Sequence, residues 1–256
     1  MIRQRRRPRE PAERACHAAH PSPSQHRNWT AVDVLTHCQY IPLMQPHQQR
    51  RKEEKAQRRE SILDAAEQVF AQNGFDAATM DDVARAARVS RALVYVYFGD
   101  KRELHLAICQ RALVELRGLF EAAVASQARG RDQLVAIGRS YMRSADSHPC
   151  YFQALSRYEA TEAEGKADAT QDAVMTAGRA VHAVTVAAIE QGMRDGSLRS
   201  DIENPMHMAM TMWGFTHGVL QIAQHKSFML ESEGLSSAAF LDQAAELAAR
   251  ALEPTT

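Results

Sequence analysis

Long apolar runs are missing from this chain of 256 residues. None approaches the roughly 20 consecutive apolar residues that span a bilayer, so no membrane partner is expected. Aromatic residues are few, at 6%, and stretches alternating apolar with polar residues are hard to find, which excludes a sandwich or barrel of strands. The motifs of common chemistries are missing too. No glycine-rich phosphate loop, GxSxG elbow, HExxH or CxxC occurs, so no catalytic residue and no cofactor is expected. Cys16, Cys38, Cys109 and Cys150 lack metal-ligand spacing, so free thiols in a reducing cytoplasm are expected, with no metal site. There is no excess charge of either sign: 31 basic residues balance 31 acidic ones. That argues against a chain that coats nucleic acid nonspecifically, but leaves room for a local basic patch. No internal repeat is present.

What is abundant is alanine and other good helix formers, so the expected fold class is all-α. The stretch TMDDVARAARVSRALVYVYFGDKREL, residues 79–104, organises the rest. Thr79 is a good N-cap, and Asp82 three residues later completes a capping box. Asp81 and Asp82 put negative charge in the first helical turn, where the helix dipole favours it. Val83, Ala84 and Ala87 make a small apolar face on a helix too short to stand alone. Val89 fills a turn, and Ser90 caps a second helix on which Val94 and Phe98 face inward. Gly99 breaks that helix, and Asp100 with Glu103 opens a long third one. A short helix, a turn and a capped helix whose outer face is not needed for packing form a helix-turn-helix. If Val94 and Phe98 point to the core, Ala92, Leu93, Tyr95 and Val96 point outward, with Arg91 and Tyr97 on the flanks. The major groove of DNA would cover such a face, since thymine methyls accept apolar contacts and arginine pairs with guanine.

Gly74-Phe75, Thr79, Val83-Ala84, Val89-Ser90-Arg91, Tyr95, Tyr97-Phe98 and Lys101 resemble, in order and spacing, the amino-terminal signature of the tetracycline-repressor (TetR) family of bacterial regulators. The resemblance covers roughly residues 55 to 105. Arg88 stands where the family usually has a turn glycine, and Ala92-Leu93 where Gly-Thr is common. The first departure puts an arginine where left-handed backbone is expected. The second gives a less polar base-reading surface. The resemblance implies a dimer that reads a palindromic operator on double-stranded DNA and is released by a small-molecule effector bound in a carboxy-terminal helical bundle. On this reading Arg91 contacts a base, and Leu93 and Val96 meet thymine methyls. Thr79, Tyr95, Tyr97 and Lys101 are expected on phosphates, and Ser90 and Ala92 complete the DNA-facing set.

Three segments follow. Residues 1–50 hold five of the chain's arginines between Arg3 and Arg9 and six of its nine prolines, with no helical period; disorder is expected. Two readings stand for them: a basic arm that adds phosphate contacts, or upstream sequence ahead of a start at Met44. Residues 51–103 form the DNA-binding domain. Arg50, Arg51, Lys52, Lys55, Arg58 and Arg59 lead into its first helix, either as a solvated helix end or as an approach to the phosphates. Ile62, Leu63, Ala66, Val69 and Phe70 recur at helical spacing, and Asn73-Gly74 stops the helix.

Residues 104–256 form the effector-binding and dimerisation domain. Its helices are expected over 103–127, 131–147, 150–160, 171–194, 206–225 and 236–252, with an acidic loop at 161–170 and a second loop at 227–234. The last two long helices are the candidate dimer interface. Tyr141, Tyr151, Phe152, His182, Met212, Trp213 and His217 are the candidate effector pocket, with His182 and His217 also open to a plain core role. The alternative function is a helical small-molecule-binding protein or enzyme on the same fold without DNA reading. An activator or a nucleoid-associated DNA binder is not separated from a repressor by sequence.

Overall fold

The structure, a computed structural model, describes residues 46–161 and 169–254. Expectations for residues 1–45, for the 162–168 part of the acidic loop, and for Cys16 and Cys38 lie outside these. Among the described residues there are ten helices and no strand. They are α1 (Pro46–Ala77), α2 (Met80–Ala86), α3 (Arg91–Tyr97), α4 (Lys101–Ala125), α5 (Gly130–Ser147), α6 (Pro149–Thr161), α7 (Ala169–Arg194), α8 (Pro205–His225), α9 (Ser227–Ser232) and α10 (Ser237–Arg250). No helix among them is long and apolar enough to cross a membrane.

Helix α1 begins at Pro46, inside the segment assigned to the extension, and residues 47–58 of it are exposed throughout. Its packed half buries Ile62, Leu63, Ala66, Val69 and Phe70, the residues whose spacing announced the helix. Gly74, at φ 73° and ψ 159°, kinks it, and a last turn runs on to Ala77. Only glycine enters that backbone region cheaply, so Asn73-Gly74 acts as the expected stop.

Helices α2, α3 and α4 start at the caps read from the sequence. The Thr79 side chain accepts from the Asp82 backbone while Asp82 accepts from Thr79 N–H, a complete capping box. Ser90 accepts from Leu93 N–H, and Asp100 accepts from Glu103 N–H. The carboxylate of Glu103 reaches past Asp100 to accept from Gly99 N–H at 2.6 Å. Between α2 and α3 the chain turns through Arg88 at φ 55°, the one non-glycine residue in left-handed backbone among those described. Arg88 N–H donates to Arg85 O and Val89 N–H to Ala84 O at 3.0 Å. These two bonds close the helix end in the manner usually given to glycine.

The bundle is α4 to α10. Where α5 starts against the end of α7, two glycines touch: a Cβ on Gly130 would lie 2.0 Å from Gly192 N. The N-terminus of α5 has no side-chain cap of its own. Asp195 and Ser197, from the turn after α7, accept from Gly130 N–H at 2.9 Å and Arg131 N–H at 3.0 Å instead. A hydrogen bond from the Ser197 side chain, and then the one from Gly130 N–H, hold the Asp195 carboxyl down at about 2. The loop expected at 227–234 contains a helical turn, α9. It is set by buried Leu230 and closed by Gly234 at φ 72°, where Leu235 N–H returns to Leu230 O.

One apolar cluster runs without a break from the helix-turn-helix into the bundle. Val83, Val94 and Phe98 share it with Leu104 and Ile108 of α4, Ala154 and Leu155 of α6, and Val174 of α7.

Candidate nucleic-acid interface and effector cavity

Helix α3 exposes three of the four residues expected on its outer face, Leu93 being half-buried. Val94 and Phe98 are fully buried, which fixes its rotation. Val96 is then 71% exposed and Tyr95 41%, Ala92 is exposed, and Leu93 and Tyr97 are half-buried. Phe98 is covered on its other side by the Arg59 guanidinium, 4.7 Å from the ring centre, so Arg59 packs rather than standing free in solvent. Arg91 lies along the edge of the face. Its guanidinium donates to Asp81 of α2 at 3.2 Å and to the Tyr95 hydroxyl at 3.4 Å. The Tyr95 bond, and then the Asp81 charge, raise its hold on the proton. An exposed pair of this kind is weak and exchangeable, so Arg91 can trade Asp81 for a base or a phosphate.

Two of the expected phosphate contacts have other work. The Thr79 hydroxyl is part of the α2 cap, donating to Asp82 at 2.6 Å. Lys101 sits at the start of α4, but its ammonium points back under the reader. It donates to the carbonyls of Phe75 at 2.8 Å, Asp76 at 3.1 Å and Ala78 at 3.0 Å, and lies 4.5 Å from the centre of the Phe75 ring. An ammonium has three hydrogens, so this strap uses all of them. In this position the Lys101 ammonium has a structural role, turned inward rather than toward an expected phosphate. The signal for it, carbonyls 23 to 26 residues upstream, is not local.

Ionic and aromatic contacts fasten the reader to the bundle. Arg111 of α4 donates to Glu60 at 2.5 Å, Asp64 at 2.7 Å and Glu67 at 2.6 Å, three successive turns of α1. Burial raises the Glu67 carboxyl against the pull of Arg111. Tyr151 of α6 reaches Glu67 and Glu115 at 3.3 Å. Burial, and then the Glu67 charge, push the Cys150 thiol beside it up to about 11. Arg157 of α6 grips Asp76 with two bonds, at 3.0 and 2.8 Å, and stacks 4.2 Å from the Phe75 ring centre.

Inside the bundle a cavity of about 380 Å³ lies among α4, α5, α6, α7, α8 and α10. Of the expected pocket residues, Tyr141, His182, Met212 and Trp213 line it. Tyr151, Phe152 and His217 do not. Tyr151 belongs to the junction with α1, and Phe152 is 2% exposed in the core. His217 stands behind the wall: the Tyr141 hydroxyl is 2.8 Å from its Nδ1, and the Gln221 amide is 3.0 Å from its Nε2. Burial keeps His182 and His217 below the ordinary imidazole range, so both are neutral near pH 7. The sequence reading missed Leu116 and Phe120 of α4, Arg131, Met142, Arg179, and Ala244 and Ala248 of α10. Helical spacing marks the apolar ones as inward-facing but does not separate a cavity wall from a packed core, and it gives no such mark to the two arginines. Among the described residues no group of three His, Cys, Asp or Glu side chains could hold a metal ion.

A family model described as bacterial regulatory proteins, tetR family, matches residues 62–108. A second, the tetracyclin repressor-like C-terminal domain, matches residues 134–250. The chain is 37% identical over 92 residues to the HTH-type transcriptional regulator BetI of Rhizobium meliloti; the match covers 36% of this chain and 45% of BetI, so it spans less than half of that relative's length. It is 29% identical over 150 residues to the HTH-type transcriptional repressor KstR2 of Rhodococcus jostii, covering 58% of this chain and 72% of KstR2. A solved structure from Rhodococcus sp. RHA1, a protein of unknown function, superposes with a TM-score of 0.63 at 21% identity, covering 77% of this chain and 95% of that one. At that identity the likeness speaks for the fold alone.

Proposed function

Because this chain belongs to the tetR family of bacterial regulatory proteins, we propose that it is a ligand-released transcriptional repressor that binds a palindromic operator as a homodimer. The observation that carries the DNA reading is the outer face of α3. Its apolar surface at Tyr95 and Val96 stays in water although the helix is capped, rotated and buried on its other side. Exposed apolar surface on so small an element calls for a partner, and the major groove supplies methyl groups and acceptor edges to match it. Arg91, at the edge, exchanges its pair with Asp81 for a guanine edge. Ala92 and Val96 meet thymine methyls, with half-buried Leu93 at the margin. Ser90, Tyr95 and Tyr97 border the phosphates.

The dimer reading rests on α8 to α10. Ile222, Phe228, Met229, Leu235 and Leu247 are all 42% or more exposed there, and a second copy would cover them. Two readers related by a twofold axis then contact half-sites one or more DNA turns apart.

Release follows from residues shared between the reader and the cavity. Leu155 and Val174 belong to the apolar cluster that holds the helix-turn-helix, and both also line the cavity. A ligand that fits best when these side chains shift favours one placement of the reader over another. It changes operator affinity only by its own preference between the two states.

Selection of bound fragments from genomic DNA tests the proposal. The expected result is an enriched motif with twofold symmetry, recovered by a dimer. Recovery of no motif, or of a motif without twofold symmetry, contradicts it.

A further inference from the structure

The cavity wall is apolar apart from a few groups, and its charge is uneven. Two arginines line it. Arg131 is neutralised, with Glu253 at 2.8 Å and Asp132 at 3.7 Å. Arg179, on an exposed turn of α7, hydrogen-bonds to the Thr176 hydroxyl at 3.1 Å. Among the described residues no carboxylate lies within ion-pair distance of it. The Tyr141 hydroxyl is engaged by His217, so it gives the cavity mainly a ring. Met142, Met175, Met206, Met210 and Met212 line the rest, five of the chain's eleven methionines. Methionine adjusts to irregular and mobile partners better than branched side chains do. Gly138 leaves space: a Cβ there would meet nothing within 4 Å.

We propose that the cavity takes an amphipathic anion, with a flexible unbranched apolar tail inside and a carboxylate against Arg179 at the rim. The proposal rests on the reading of the cavity as the effector site. A lone cation at the rim of an apolar hole selects a ligand with one charged end. At the rim the charge pair keeps part of its water, so it avoids the cost of burying two ions. At about 30 Å³ for a group the size of a water molecule, 380 Å³ accommodates a tail of about a dozen carbons. The same acyl tail also occurs as a coenzyme A thioester. There the carboxylate charge is gone and the nearest phosphate lies many bonds away, so Arg179 favours the free acid.

The test uses the full chain and the neutral apolar dye N-phenyl-1-naphthylamine, displaced by dodecanoate, dodecanol or dodecanoyl-coenzyme A. Dodecanoate is expected to displace the dye at a concentration roughly two- to fivefold below dodecanol, the factor an exposed ion pair supplies. Arg179→Gln should remove that advantage without changing the response to dodecanol or to the thioester. Gly138→Leu, which fills open space, should block the dye while leaving the melting temperature and helical content intact. Equal displacement by acid and alcohol, or an acid advantage that survives Arg179→Gln, overturns the proposal but leaves the cavity as a ligand site. A thioester that binds best and depends on Arg179 overturns the free-acid assignment. Failure of the dye to enter the wild-type protein, with no binding of dodecanoate by calorimetry, overturns both the proposal and the effector reading beneath it.

Discussion

At the residue scale, Arg88 shows how a departure from an expected pattern can be absorbed rather than avoided. The turn between α2 and α3 needs left-handed backbone, and Arg88 adopts it at φ 55°. Two backbone bonds to Arg85 and Ala84 secure the turn all the same. A non-glycine residue pays about 1–2 kcal/mol for this conformation, and a glycine would return part of that through its greater freedom when unfolded. Arg88→Gly should therefore stabilise the protein by roughly 0.5–1 kcal/mol, raising the melting temperature by about 1–4 °C. Thermal unfolding checks this; a melting temperature that stays level or falls would mean that the arginine side chain contributes more than its backbone costs. The caps Thr79, Ser90 and Asp100 were readable because each acts within three residues of itself. The face of α3 was readable because Val94 and Phe98 fix its rotation. The place of Lys101 was not readable, because nothing near it in sequence names the three carbonyls it reaches.

At the scale of elements, Lys101 ties the start of α4 to the end of α1. Lys101→Ala should remove three charge-assisted bonds and destabilise the protein by about 2 kcal/mol. If the ammonium serves the strap alone, the slope of operator affinity with salt should not change. A phosphate contact would instead lower that slope by about one. Melting curves and binding at several salt concentrations separate the two roles. The start of α5 is a second case of long-range dependence, because its cap comes from Asp195 and Ser197, 65 and 66 residues further on. The positions of the long helices were legible from periodicity to within a few residues, whereas α9 was expected as a loop. What lay across α5, α7 and α10 was not, since periodicity tells which side of a helix faces inward and not what it meets there. For that reason Phe152 and His217 were expected in the cavity and stand in the core beside it, while Arg179 and Ala244 were passed over.

At the scale of the whole molecule, two buried histidines, His105 and His217, and the half-buried His182 link stability to pH. Burial pulls the imidazoles of His105, His182 and His217 below their ordinary value of 6.5. When the chain unfolds they return to that value. Below pH 6.5 the unfolded state thus binds more protons than the folded state, and stability falls as pH falls. The contribution is complete above pH 6.5 and is lost progressively down to the depressed folded values. Urea unfolding from pH 7.5 to pH 5 should show this decline. It should be shallower in His105→Gln, where an amide can still donate to the Ala154 carbonyl that lies 3.0 Å from His105 Nε2. A decline equally steep in that variant would assign the effect to other groups. The continuous cluster from Val94 to Val174 also joins side chains of the helix-turn-helix and of the bundle in one apolar core, the packing through which the proposed ligand would act.

If the exposed face of α3 enters the major groove as proposed, Val96 lies at the contact. It is 71% exposed, so Val96→Glu should leave the fold untouched, and an unchanged melting temperature would verify this. Measured on the recovered operator, the variant should bind more weakly by on the order of 2 kcal/mol or more, because a carboxylate would face the bases and phosphates. Operator binding that is unchanged in a folded Val96→Glu protein would show that this face is not the reader.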